Sequence, residues 1–378
     1  MTSTLEHPSA RGRTTHPEAV TPRLELDVDR ALDGYDALAR TLPGTAVHYA
    51  VKANPHPALL GALVRAGGRF DVASRAETEA CLAAGAVPDD LIYSHPVKRR
   101  EDVLSAARCG VRLFVVDSPE ETRKVAEAAP GARVLCRLVT SGEGSDWPLS
   151  RKFGSSTSES VAVLRLAASL GLDPAGVSFH VGSQQRDPLA WRAPIEASAQ
   201  IFETVRAHGL RPQLVDLGGG FPAAHEGGAP ALHSYAAAIH AFLGRAFGSD
   251  RPDTLIEPGR GVVGDAGTVV TRVIGVLRRG DVRWVYVDGG VFSGLMETLG
   301  EAIRYRVDTP GVEGPTEPCV LAGPTCDSAD VMYERVPVHL PVALAEGDEV
   351  RLLSAGAYTS CYSTVGFNGF DPLPTVLV

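Results

Sequence analysis

Residues 47–84 read VHYAVKANPHPALLGALVRAGGRFDVASRAETEACLAA: an apolar run, a helical stretch, a second apolar run and a second helical stretch. Val47–Val51 and Arg69–Ala73 have strand character, and Pro57–Ala66 and Ala76–Ala84 carry helical spacing. The alternation continues outward. Leu91–Tyr93 precedes Arg100–Arg108, Leu113–Val116 precedes Pro119–Ala128, and Val134–Leu138 precedes Ser158–Ser169. Val177–His180 precedes Trp191–Ala207, Leu214–Asp216 precedes Ser234–Phe247, and Thr254–Glu257 closes the series. Eight strands with seven helices between them predict parallel pairing through right-handed crossovers. That number favours a closed (β/α)8 TIM-type barrel over an open doubly wound sheet.

After Gly259 helical periodicity nearly vanishes. Val262–Leu277, Val282–Val287, Pro318–Leu321, Val336–Val342 and Val350–Ser354 are β-rich, with Gly and Pro between them. The expected organisation is a flexible tail over 1–22, a barrel over 23–260 and an all-β sandwich or barrel domain over 261–378, joined by the segment 23–34.

Composition narrows the function. The chain has 378 residues, 44% of them apolar, and a formal charge of −9, which suits a folded protein rather than a disordered one. The longest basic block is Lys98-Arg99-Arg100, too short to track a phosphate backbone, so no nucleic-acid partner is expected. No apolar run approaches the ~18 residues that span a bilayer. The polar start lacks an apolar signal core. Six scattered cysteines without a CxxC pair suit a reducing cytoplasm and no metal site.

Polar residues collect at the C-terminal ends of the strands, where a barrel keeps its active site. Lys52 follows the first apolar run. A lysine there is expected to be desolvated, with a lowered ammonium pKa that leaves the neutral amine Schiff-base chemistry needs. A surface lysine at a strand end is the plainer alternative. Gly218-Gly219-Gly220 after Asp216 is either an anion-binding nest or an ordinary turn. Glu257-Pro258-Gly259-Arg260 ends the last strand, its Gly allowing close backbone approach and its Arg offering a fork for phosphate. Pyridoxal phosphate needs a Lys, a carboxylate for its ring nitrogen and a phosphate cradle. Lys52, Glu257 and the glycine run supply the three, and His180 ends a strand where it would face the ring. Cys326 stands beside Asp327 in a Pro-Gly-rich loop, and Tyr358 follows a strand; either is uninformative alone.

Together these segments resemble the alanine-racemase-fold decarboxylases, the pyridoxal-phosphate enzymes acting on ornithine, lysine, diaminopimelate and arginine. The likeness runs from about Pro22 to the C-terminus through Tyr49–Asn54, Phe70–Ser74, Phe179–Ser183, Gly218–Phe221, Glu257–Arg260, Cys326-Asp327 and Gly356–Tyr358. Asp146–Gly154, the Asp after Cys326, and Asp288–Leu299 look like the bacterial ornithine/lysine branch in particular. The resemblance implies decarboxylation of ornithine or lysine to the diamine with pyridoxal 5′-phosphate. It implies that Lys52 tethers the cofactor. Asp71, Glu77 and Arg137 would support its ring and hydroxyl side, His180 would stack on it, and Glu257 would pair with its nitrogen. Ser183, Gly218, Gly219, Gly220, Gly259, Arg260 and Tyr358 would surround the phosphate. Cys326 would protonate the product carbon and Asp327 would hold the substrate's distal ammonium. Phe292, Gly300, Glu301 and Tyr358 would complete the substrate pocket. The family is dimeric, with Cys326 and Asp327 completing the partner's site.

One departure bears on specificity. That branch is expected to carry an acid directly after Glu297-Thr298-Leu299, where this chain has Gly300 followed by Glu301. A one-residue shift turns a side chain away, so Glu301 is not a simple replacement. The pocket then takes a plain diamino acid through Asp327, or a larger, modified or carrier-tethered amino acid. A racemase and an antizyme-like protein without activity are the remaining alternatives; Glu257 disfavours the first, and Lys52 and Cys326 the second.

Overall fold

The structure, a computed structural model, describes residues 20–363, 365 and 367–369. Residues 1–19 of the expected tail lie outside them. β1 (Arg23–Leu26) and α1 (Val28–Thr41) open the described chain. Next come β2 (Thr45–Ala50), β3 (Arg69–Val72), β4 (Leu91–Tyr93), β5 (Leu113–Val116), β6 (Arg133–Arg137), β7 (Ser145–Trp147), β8 (Asp173–Ser178), β9 (Ser183–Gln185), β10 (Leu214–Asp216) and β11 (Asp253–Ile256). All but β7 and β9 close into a parallel eight-stranded barrel, as the alternation predicted. β7 and β9 form a separate antiparallel ribbon that the sequence reading did not foresee.

Between the strands run α2 (Pro57–Arg65), α3 (Arg75–Ala83), α4 (Arg100–Arg108), α5 (Pro119–Ala128), α6 (Thr157–Ser169), α7 (Arg192–Ala207) and α8 (Leu232–Phe247). Ser74, Ser118 and Ser156 start α3, α5 and α6 by accepting a backbone N–H of the first turn, and Glu159 returns the bond to Ser156. Pro57 and Pro119 open α2 and α5, where no intrahelical N–H is needed.

Side-chain parity places the site. Ile92, Val115, Leu135, Ala175, Leu214 and Leu255 form a cluster of their own that fills the barrel. Their neighbours Leu91, Phe114, Val134, Val215 and Ile256 point outward into the larger core beneath the helices. Two residues on from Leu135, Leu214 and Leu255, on the same inward parity, stand Arg137, Asp216 and Glu257. The register Arg137↔Ser178↔Asp216 sets Arg137 and Asp216 level at the rim, and Ala50↔Asp71 places Asp71 at the start of the Lys52 turn. The apolar plug is thus the floor of a polar cup.

α9 (Arg260–Val263) and a 3-10 turn follow the barrel. The strand expected from Val262 starts at Gly267 instead. Val262 and Val263 are buried in the barrel's main core, and packing there overrides the β preference of valine. The second sheet is built from β12 (Gly267–Arg279), β13 (Val282–Val287), β14 (Arg306–Asp308), β15 (Thr316–Ala322), β16 (Val331–Pro341) and β17 (Glu349–Leu353). Its order is β14-β17-β12-β13-β15-β16, and β13 and β15 pair in parallel. β12 carries a register shift between Val273 and Gly275, so its first half pairs β17 and its second half β13. β1 adds to β12 through Arg23↔Val270 to Leu26↔Gly267, while residues 28–41 already form α1 against the barrel. Among the described residues no helix is long and apolar enough to cross a membrane.

Candidate active site

The chain leaves β2 into a tight 3-10 turn, Val51–Ala53, with Lys52 at its centre. The segment after β17 clamps that turn: Tyr358 N–H donates to Ala53 O at 2.8 Å, and Asn54 Nδ2 donates to Gly356 O at 3.0 Å. Gly259 permits this close approach, since a Cβ there would lie 2.8 Å from Ala53 Cβ and 3.2 Å from the Tyr358 hydroxyl.

Lys52 Nζ donates to Asp71 Oδ2 at 2.5 Å, and the Ser94 hydroxyl donates to the other Asp71 oxygen. The apolar neighbours of Lys52 in the sequence predict a lowered pKa. Burial does push it down, but Asp71, then Tyr358 and Glu257, outweigh burial and hold the ammonium above its ordinary value. Lys52 is therefore a charged, oriented amine, and the partner behind the reversal is Asp71.

Glu77 backs the same wall. Its Oε2 accepts Ala73 N–H at 2.6 Å and its Oε1 accepts Asn368 Nδ2 at 2.7 Å, while burial lifts its pKa to about 6. Across the cup, Gly182 N–H donates to His180 Nδ1 at 3.0 Å. Burial, then Arg137 and Lys52, hold the imidazole well below its ordinary pKa, so the ring is neutral with its proton on Nε2. Gly219 brings the glycine run against this ring, a Cβ there falling 3.0 Å from His180 Nε2 and 2.6 Å from Glu257 O.

Glu257 and Asp216 end adjacent strands and hydrogen-bond through their side chains. Burial, then Asp216 and Asp71, push Glu257 well above the usual carboxylate range, while burial lifts Asp216 to about 7 against the Gly218 N–H bond. Two adjacent buried carboxyls do not both ionise, so one proton lies between them. Glu257 Oε1 remains buried without a partner.

Arg260 lies over the Tyr358 ring at 5.0 Å. Its Nε and Nη2 are 3.2 and 3.3 Å from Ser183 Oγ, and Nη2 meets Glu297 Oε1 at 2.6 Å. Arg260 Nη1 is buried and unpartnered.

Lys52, Arg137, His180, Ser183, Glu257 and Tyr358 line one cavity of about 430 Å³. Trp147, at the end of β7, and Tyr362 meet edge to face at 6.2 Å and help wall it. A larger groove, about 940 Å³, runs between residues 138–144 and the start of α7 and holds none of those six. The cavity fits pyridoxal phosphate. Glu257 lines it with its Oε1 unpartnered, an acceptor for a ring N–H, Lys52 supplies an amine, and the Ser183 and Tyr358 hydroxyls are donors for an anion.

Five expected substrate or catalytic residues are absent from that wall. Cys326 and Asp327 are exposed on the loop between β15 and β16, where Asp327 Oδ1 accepts Ala329 N–H at 2.8 Å. Phe292 is 44% exposed. Gly300 has φ +67° with open space around it. Glu301 turns to the second sheet, accepting the N–H groups of Glu334, Arg335 and Val336 and pairing with Arg304 at 2.9 Å. Four residues that were given no role from the sequence belong to the site: Ser94 on Asp71, Asp216 beside Glu257, Glu297 on Arg260 and Asn368 on Glu77. Inward parity was a signal for Asp216, and Glu297 stands in the Asp288–Leu299 segment; nothing in the sequence marks Ser94 or Asn368.

Residues 30–264 match the family described as pyridoxal-dependent decarboxylase, pyridoxal binding domain. The lysine/ornithine decarboxylase of Selenomonas ruminantium is 35% identical over 94% of this chain and 89% of that protein. A solved lysine/ornithine decarboxylase from Vibrio vulnificus, complexed with cadaverine, superposes with a TM-score of 0.82 at 33% identity, covering 91% of this chain and 89% of that one. Antizyme inhibitor 2 of Xenopus laevis is 31% identical over 89% of this chain and 76% of that protein.

Proposed function

Because this chain belongs to the pyridoxal-dependent decarboxylases, we propose that it removes the carboxylate of a cationic L-amino acid, ornithine or lysine, as carbon dioxide and releases the diamine. The cofactor is pyridoxal 5′-phosphate, which supplies an electron sink for the pair left on the α-carbon. The observation that carries the reading is one cavity holding the Lys52 amine and the orphan oxygen of Glu257 on its wall.

Each residue then has a task. Lys52 Nζ would tether the cofactor, with Asp71 Oδ2 placed to hold the amine's proton. Glu257 would face the ring nitrogen. Of the carboxyl pair Glu257 holds its proton more tightly than Asp216, so accepting the ring N–H would require that proton to pass to Asp216, leaving one negative charge towards the ring. His180, being neutral, packs against the ring without adding a positive charge that would oppose this. Arg137 would hold the ring's hydroxyl side, and Glu77 braces the wall behind it through Ala73 and Asn368. Ser183 and Tyr358 on the cavity wall would take the phosphate, with Arg260 and the backbone N–H groups of Gly219 and Gly220 behind them; the Gly218 N–H is committed to Asp216 Oδ1. Trp147 and Tyr362 keep water out.

Cys326 and Asp327 do not line the cavity that holds Lys52 and are exposed, so we assign them to the cavity of a second copy in a homodimer. There the thiol protonates the product carbon and Asp327 takes the distal ammonium. The ion-paired Lys52 on the cavity wall favours a working enzyme over a regulator of the antizyme-inhibitor kind. Free thiols at all six cysteines suit a reducing compartment, and we place the enzyme in the cytoplasm.

A second reading has one observation in its favour: Gly300 brings no acid, and Glu301 is committed elsewhere. A larger or carrier-tethered cationic amino acid would then be the substrate. A carbon dioxide release screen over ornithine, lysine, arginine, diaminopimelate and diaminobutyrate decides. Turnover of ornithine or lysine is expected; inactivity on all five free amino acids supports the second reading.

A further inference from the structure

The loop between β15 and β16 that bears Cys326 and Asp327 is built around one buried carboxylate. Residues 324–329 are all exposed, whereas Asp330, which closes the loop, is 2% exposed. Asp330 Oδ2 accepts Thr325 N–H at 3.0 Å. Its backbone N–H donates to Asp327 O at 3.1 Å, and its carbonyl accepts Gly323 N–H at 2.8 Å. These bonds draw the chain on either side of Cys326 back to a single residue. The other oxygen, Oδ1, reaches out of the loop and accepts Val291 N–H at 2.8 Å, in the turn Val291–Ser293 after β13. Two glycines make room for it: a Cβ at Gly290 or at Gly323 would lie 2.2 Å from Asp330 Oδ1. A carboxylate is costly to bury unless its acceptors are used, and here both oxygens take backbone N–H groups. What Asp330 fixes is therefore the path of the chain.

We propose that Asp330 is a positioning residue for Cys326 and Asp327, holding their loop in the shape that enters the cavity of the second copy. The proposal rests on the shared-site reading above. Asp330 touches no substrate and moves no proton. A thiol that must deliver a proton to one carbon atom needs its loop set before the substrate arrives, and the buried carboxylate anchors that loop to the second sheet's own turn.

The test uses Asp330→Asn in the full-length holoenzyme. The amide has the same size but replaces one accepting oxygen with a donor, which sets it against a backbone N–H. The variant should keep the cofactor absorbance of wild type and lose about tenfold in kcat/KM. Amide hydrogen exchange of the peptide 323–330 should quicken, with the barrel strands exchanging as in wild type. Mixed with Lys52→Ala under subunit exchange, it should recover about a quarter of the wild-type rate, because the hybrid pairs an intact cavity with an intact loop. Mixed with Cys326→Ala it should gain nothing, since both lesions then lie in the loop. If Asp330→Asn does not fold, Gly323→Ala, which drives a methyl against the same carboxylate, carries the same expectations. A wild-type kcat/KM overturns the proposal. So does a loss that tracks lost cofactor absorbance, or no recovery with Lys52→Ala, since either marks a general structural role. If Cys326→Ala and Lys52→Ala themselves fail to complement with exchange demonstrated, the shared-site reading falls and this proposal with it.

Discussion

Lys52 Nζ and Asp71 Oδ2 are 2.5 Å apart, a bond between the turn after β2 and the neighbouring strand β3. It sets the charge of the amine that the reaction must use. Asp71→Asn removes the attraction and leaves burial, which lowers the lysine pKa. Attachment of pyridoxal phosphate, followed by absorbance against pH, should then have its midpoint lower by about one unit or more. An unchanged midpoint would show that Asp71 does not govern Lys52.

The separation of Cys326 from the cavity predicts shared sites. Lys52→Ala and Cys326→Ala should each be nearly inactive alone. Mixed and allowed to exchange subunits, they should regain about a quarter of the wild-type rate, since half of a random set of dimers carries one intact site of two. No recovery, with exchange demonstrated, would place the thiol in its own chain's site or outside the chemistry.

His48 is buried in the barrel with Nδ1 unpartnered, and burial, then Arg69, lowers its pKa to about 4. Between that value and the ordinary 6.5 the unfolded chain binds the proton and the folded one does not. Stability is therefore full above pH 6.5 and falls as pH drops toward 4, by roughly 3 kcal/mol from this group. In urea unfolding of the cofactor-free protein, His48→Gln should flatten that slope. The same slope in the variant would assign acid sensitivity to other groups.

Asp216 works in the opposite sense. Its pKa is raised to about 7, so the folded chain keeps a proton that the unfolded chain gives up. This contribution is present below the ordinary carboxylate pKa and is lost as pH rises toward 7. Asp216→Asn should remove the loss, with unfolding free energies that depend less on pH across that window. A variant with the wild-type pH dependence would mean that the proton is held elsewhere.

The barrel was legible because its strands and helices alternate without a break from residue 47 to 257, and because Gly and Pro punctuate them. The rim was legible too. Arg137, His180 and Glu257 follow apolar strands, and barrel strands end at the catalytic face. Local signals failed where tertiary packing decides. Val262 and Val263 look like strand residues and are helical because they are buried in the barrel core. The Lys52 pKa was misjudged because burial is visible in the apolar neighbours, whereas Asp71 approaches from 19 residues away. Glu297 and Asn368 lie 37 and 291 residues from the side chains they hold, and no spacing rule reaches so far.

The central claim is that Lys52, alone among the lysines, carries the cofactor. Reducing the holoenzyme with borohydride, digesting it and sequencing the labelled peptide by mass spectrometry tests this directly. The account predicts a single pyridoxyl-phosphate adduct on Lys52, lost in Lys52→Ala; an adduct on another lysine, or none, contradicts it.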